Sequence, residues 1–159
     1  MREARNEARI DKASRVILAS ARSLYRAFLD AEMMANWRAP EGMTAQVSDF
    51  RPQACGGYRM VLHYDDQRNE AFGKSGPGKD AVEVRFAQML PEEKIVEEVR
   101  FVSDDPAFAG VMTLVTTFEK DRDGTRVTFS AHDVPEGISA ADHALGMAQS
   151  LLNLARLTE

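Results

Sequence analysis

The chain has 159 residues, a formal net charge of −5, 44% apolar and 28% charged residues, and a single cysteine. These values describe one globular domain, large enough to hide roughly 70% of its unfolded surface, and exclude a disordered chain. The acidic balance with scattered Lys and Arg argues against a nucleic-acid binder. One cysteine excludes an internal disulfide framework, and no run approaches the roughly 18 apolar residues of a membrane helix.

Residues 1–12 are polar and charged and are expected to form an arm, with a single domain over 13–159. The opening "MREARNEAR" lacks the apolar stretch of a secretory signal, so a cytoplasmic location is expected. "SRVILAS" reads as a strand, because β-branched and aliphatic residues sit between short polar ends. "SARSLYRAFLD" follows with Leu24, Ala27 and Phe28 on one helical face. A second short helix is expected from Ala31 to Trp37, stopped by Pro40 and Gly42.

From there the apolar period becomes two. "TAQVSDF", "YRMVLHY", "AVEVRFAQM", "KIVEEVRFV", "VMTLVTTFE" and "TRVTFSA" each alternate or nearly so. Asp123-Gly124 in "KDRDGT" is a tight-turn signal, and "LPEEK" is a similarly short link. Consecutive strands with short links predict an antiparallel meander. The stretch "DDQRNEAFGKSGPGKD", rich in Gly and charge, reads as a long mobile loop.

The last segment returns to a helical period. Ser139 with Asp142 three residues later forms a capping-box arrangement. Steps of 100° place Ala141, Ala144, Leu145, Ala148, Leu151, Leu152 and Ala155 on one apolar face, flanked by Met147 and Leu154. The expected fold class is α+β: a curved antiparallel sheet of about seven strands gripping this C-terminal helix, with two short helices after the first strand.

Such a curled sheet can leave a cavity under the helix. Alternation groups Tyr58, Met60, Leu62 and Tyr64 on one face, with Val84 and Phe86, Val99 and Phe101, and Met112 and Leu114 on neighbouring strands. The candidate ligand contacts are therefore Tyr58, Met60, Leu62, Phe86, Phe101, Met112 and Leu114 from the sheet, and Met147 and Leu151 from the helix. The same spacings also describe a plain core. Glu97 shares the inward face with Ile95, Val99 and Phe101, where a carboxylate is costly unless paired; it could anchor a polar ligand group, or sit at the surface on a bulge. Trp37 is either a core plug or a rim residue, and the short helix ending near Pro40 favours the rim, with Met33 and Met34 as soft neighbours. Gly56-Gly57 fits strand-start geometry, and Cys55 has no motif partner.

Other signals fail on chemistry. "GKSGPGKD" nearly spells a phosphate loop, but Asp80 stands where Ser or Thr should reach magnesium. His63, His132 and His143 have no ligand spacing, so neither a metal nor a cofactor is expected. Asp142 and His143 are adjacent on a helix and do not face each other.

The segments "SRVILASARSLYRAFLDAEMMANW" with "RAP", "FRPQACGGYRM", "MLPEEKIVEEVRF", "FEKDRDGTRVTFS" and "SLLNLARL", in this order, resemble the START-like helix-grip superfamily, also called SRPBCC. More closely the chain resembles its AHSA-type branch, related to the C-terminal domain of a heat-shock chaperone ATPase activator. The resemblance runs from Ser14 to Glu159. It implies a cavity for small apolar or amphipathic molecules, with Trp37 and Pro40 at its opening, Gly56-Gly57 at the strand start and the helix around Leu151 to Leu154. The superfamily includes carriers, receptors, polyketide cyclases and stress proteins, so the fold does not settle the chemistry. Non-enzymatic binding of a lipid or aromatic metabolite leads. A cyclase or dehydratase-like enzyme using Glu97, Tyr58, Tyr64 or Asp133, and a module acting on a heat-shock chaperone, are the alternatives. The expected partner is a hydrophobic small molecule, with no nucleic acid and no membrane insertion; an exposed edge strand leaves a homodimer open.

Overall fold

The computed structural model describes residues 9–65 and 79–159. Seven strands form one antiparallel sheet: β1 (Ile10–Ile17), β2 (Met43–Arg51), β3 (Gly57–Tyr64), β4 (Lys79–Leu90), β5 (Lys94–Phe101), β6 (Val111–Asp121) and β7 (Gly124–His132). Their order is β1-β7-β6-β5-β4-β3-β2, so the meander from β2 to β7 is sequential and β1 closes on its last strand. Two short helices, α1 (Ala21–Arg26) and α2 (Ala31–Arg38), follow β1, and α3 (Ala140–Thr158) ends the chain. This is the helix-grip arrangement expected from the sequence.

Local chemistry sets the boundaries. Ser20, Asp30 and Ser139 each accept a hydrogen bond from the backbone N–H three residues on, at 3.0 Å, and so cap α1, α2 and α3. Beyond Arg38 the backbone of Ala39 is extended, as the residue before a proline prefers. Gly57 lets β3 approach β4 closely, since a side chain there would strike the Val84 carbonyl.

Four expectations need correction. The first strand begins at Ile10 rather than Ser14, and Ile10, Asp11 and Lys12, assigned above to the polar arm, pair with His132, Ala131 and Ser130 of β7. The turn between β6 and β7 is Arg122-Asp123, with Arg122 at φ 53°, because Asp121 already pairs with Gly124. Gly124 is needed for a different reason: a Cβ there would run into the Ile17 carbonyl of β1. On α3 the buried face is Met147, Ser150, Leu151, Leu154 and Ala155, whereas Leu145 is 72% exposed and Ala144 and Ala148 face solvent. Small alanines on both sides blur the apolar arc, and the true face is fixed by polar residues that find partners beneath the helix. The expected mobile loop and the near-phosphate-loop motif fall largely on residues 66–78, outside the described residues, and so do residues 1–8 of the expected arm.

The core lies between the concave sheet face and α3, with Trp37, Phe28, Phe86, Phe129 and Ile17 as its largest fully buried side chains. Arg59 and His63 point the other way, to exposed partners Glu83 and Gln46. Among the described residues no helix is long and apolar enough to cross a membrane.

Candidate functional site

The last residue of α2, Arg38, sends its side chain under α3 toward the sheet. Its Nη2 donates to Glu97 Oε1 at 2.7 Å, and the Tyr58 hydroxyl donates to the other carboxylate oxygen, Oε2, at 2.5 Å. Glu97 is 0% exposed, so the alternative that placed it at the surface does not hold. The strand positions explain the meeting. Tyr58 lies opposite Val84 and Glu97 lies opposite Phe86, so β4 brings the two polar side chains to the same inward face. A carboxylate there is tolerable only because both oxygens are engaged and its charge is matched.

Trp37 is the support of this group and not a rim residue. It is fully buried, its Nε1 donates to the Ala27 carbonyl at 2.9 Å, and its ring packs on Phe28 and Phe129. Satisfying the indole N–H on a neighbouring helix removes the usual reason for Trp to reach the surface. The Arg38 guanidinium then lies over its ring at 4.5 Å, and 5.5 Å from Phe28. Met34 is likewise fully buried, and Met33 is half-buried. The end of α2 is tied to α3 by side chains: Asn153 Nδ2 donates to the Ala39 carbonyl at 2.8 Å, and Ser150 Oγ donates to that of Arg38 at 3.4 Å. Carbonyls left over at a helix end are satisfied in this way.

Burial opposes the charge on Arg38, but the Glu97 carboxylate, with the Tyr58 oxygen, outweighs it and holds the guanidinium above its ordinary pKa. Burial pushes the Tyr58 phenol well above its usual range; Arg38 opposes that shift and Glu97 adds to it. Both shifts keep the guanidinium charged and the phenol neutral. Arg38 Nε is buried without a hydrogen-bond partner among the described residues.

Next to Arg38 lies a cavity of about 180 Å³ between the sheet and α3, with an almost wholly apolar wall. Met60, Leu62, Phe101, Met112, Leu114 and Met147, all anticipated from the sequence, line it. Phe86 and Leu151 are in the core away from it, and Tyr58 and Glu97 stand behind Arg38 and do not reach it. Val82, Val84, Val99 and Phe129 line it as well; alternation had placed Val84 and Val99 inward, without marking them as contacts. Arg38, Ser150 and His143 were missed. The available signal for Arg38 was its position between the only Trp and Pro40; for His143 there was none, because its partner Asp11 sits 132 residues away. A larger groove of about 430 Å³ outside α3 has a polar wall that includes Glu41, Gln149, Asn153 and Arg156, and no buried charge faces it. Among the described residues no group of three or more His, Cys, Asp or Glu is placed to hold a metal ion.

The family described as activator of Hsp90 ATPase homolog 1-like protein matches residues 18–159. The chain belongs to this family. Protein CV1439 from Chromobacterium violaceum is 29% identical with a TM-score of 0.82, over 94% of this chain and 96% of that one. Protein Ms6760 from Mycobacterium smegmatis is 18% identical with a TM-score of 0.67, over 93% and 89% of the two chains. DynU16, from the dynemicin biosynthetic locus, is 14% identical with a TM-score of 0.65; the match covers 92% of this chain and 46% of DynU16. The last two likenesses concern the fold alone. Among curated proteins none matches the chain.

Proposed function

We propose that this protein binds a small hydrophobic or amphipathic molecule in the cavity between the sheet and α3. The observation that carries this is Arg38: a guanidinium held by a fully buried carboxylate in the wall of a mostly apolar cavity. A plain core has no use for such a charge, whereas a binding site needs a few fixed polar groups among apolar walls. The volume narrows the ligand. A cavity of about 150 Å³ takes one benzene, and drug-sized ligands need about 300–1,000 Å³. At about 180 Å³ the ligand is one ring or a short chain, smaller than a membrane lipid.

The experiment is native mass spectrometry of gently purified protein, followed by denaturing extraction of any passenger. A one-to-one adduct that is lost in Leu114→Trp, which fills the cavity, supports the proposal. A bare protein that also takes up no added single-ring compound counts against it.

Catalysis by the residues first considered has less support. Glu97 is engaged by Arg38 and Tyr58, Tyr64 donates to Asp80 at 3.4 Å and does not line the cavity, and Asp133 is exposed. The family description motivates one further measurement, the Hsp90 ATPase rate with this protein added. Cavity binding alone predicts no change in that rate.

A further inference from the structure

His143 brings a second polar group to the wall of the same cavity. Its Nδ1 lies 2.8 Å from Asp11 Oδ2, and the Asp11 carboxylate is also gripped by Arg9 through Nε and Nη2, at 3.0 and 2.8 Å. Arg9 balances the carboxylate charge. In the neutral ring that carboxylate favours a proton on Nδ1, the tautomer that leaves a lone pair on Nε2. Among the described residues no partner engages Nε2, so it is the ring nitrogen available to the cavity. Capping of α3 does not require this imidazole, since Ser139 does that work.

Arg38 and His143 are thus complementary polar groups of the cavity wall. Arg38 is a donor already paired with Glu97, so a neutral carbonyl oxygen suits it better than a second carboxylate. His143 Nε2 is an acceptor, suited to a neutral O–H. Ser150, bonded to the Arg38 carbonyl, follows His143 by seven residues, which is about 10 Å along a helix. We propose that the ligand is an uncharged hydroxy-carbonyl compound of single-ring size, its O–H on His143 Nε2 and its carbonyl oxygen on Arg38. This rests on the cavity binding proposed above.

The test is titration calorimetry of the full chain with ethylbenzene, acetophenone and 4-hydroxyacetophenone. The expected order is ethylbenzene weakest and 4-hydroxyacetophenone tightest, about tenfold tighter than acetophenone for one added hydrogen bond. In Asp11→Ala, Nδ1 loses its acceptor and the tautomer is no longer fixed, so the hydroxyl advantage falls while acetophenone binding is kept. His143→Phe gives the same pattern and does not depend on the first variant folding. Equal binding of acetophenone and 4-hydroxyacetophenone by the wild type, or an advantage that survives His143→Phe, overturns the assignment and leaves the cavity reading intact. Failure of all three compounds to bind overturns both.

Discussion

Arg38 and Glu97, 59 residues apart in the chain, meet at 2.7 Å inside the grip of sheet and helix, and the Tyr58 hydroxyl closes the far side of the carboxylate. The pair joins α2 to β5 and places one fixed charge beside the cavity. Breaking a buried pair by removing one partner costs about 3–5 kcal/mol, because the other charge stays behind unmatched. Glu97→Gln is therefore expected to destabilise the protein by about 3 kcal/mol in urea unfolding. Arg38→Met added to it should recover much of that loss, since both charges are then gone. A single variant of wild-type stability would show that the pair holds nothing together.

Tyr58 sets the alkaline limit. Its pKa in the folded protein is raised, so the stability it contributes is fully present below the unfolded value of about 10 and is lost as pH rises through the higher folded value. Unfolding midpoints followed from pH 8 upward should fall beyond about pH 10. Tyr58→Phe should be less stable at neutral pH and show a shallower fall. An unchanged alkaline slope in that variant would assign the loss to other groups.

Asp11 behaves in the opposite sense. Its hydrogen bonds from Arg9, with a smaller contribution from His143, outweigh burial and lower its pKa. Its contribution is present above the unfolded value of about 3.9 and is lost as pH falls through the lower folded value. Asp11→Asn should therefore flatten stability against pH below about 4, while leaving the alkaline limb as in the wild type. Parallel acid limbs for the two proteins would contradict this.

Trp37, the chain's only tryptophan, is fully buried under Arg38. Its fluorescence should be blue-shifted and poorly quenched by acrylamide in the native state, and become red-shifted and quenchable on unfolding. Solvent-like native emission would return the residue to the rim.

Most of the fold was legible because the strands from β2 to β7 repeat a two-residue pattern and the start of α3 carries its own cap. The order from β2 to β7 followed from consecutive alternating segments; the place of β1 beside β7 did not. The candidate site was legible only in its apolar part. Met60, Leu62, Met112 and Leu114 share a face by alternation, and that face borders the cavity. What stayed hidden depends on long-range pairing. Glu97 could be flagged as out of pattern, but its partner lies at the end of a helix whose tilt is set by Asn153 and Ser150. Ser150 disguised the buried face of α3 because it is polar, and His143 could be judged only against its neighbour Asp142 until β1 brought Asp11 beneath it. Trp37 was misplaced because the acceptor for its N–H is the backbone carbonyl of Ala27, which no side-chain pattern reveals.

The central claim is that the space beside Arg38 is a binding cavity. The most direct measurement is an NMR titration of ethylbenzene into the wild type and Leu114→Trp, reading the methyl signals of Met60, Met112 and Met147. The account predicts saturable one-to-one shifts of these signals in the wild type, and no shifts in a folded Leu114→Trp protein. Unshifted wild-type signals, or equal shifts in both proteins, would contradict it.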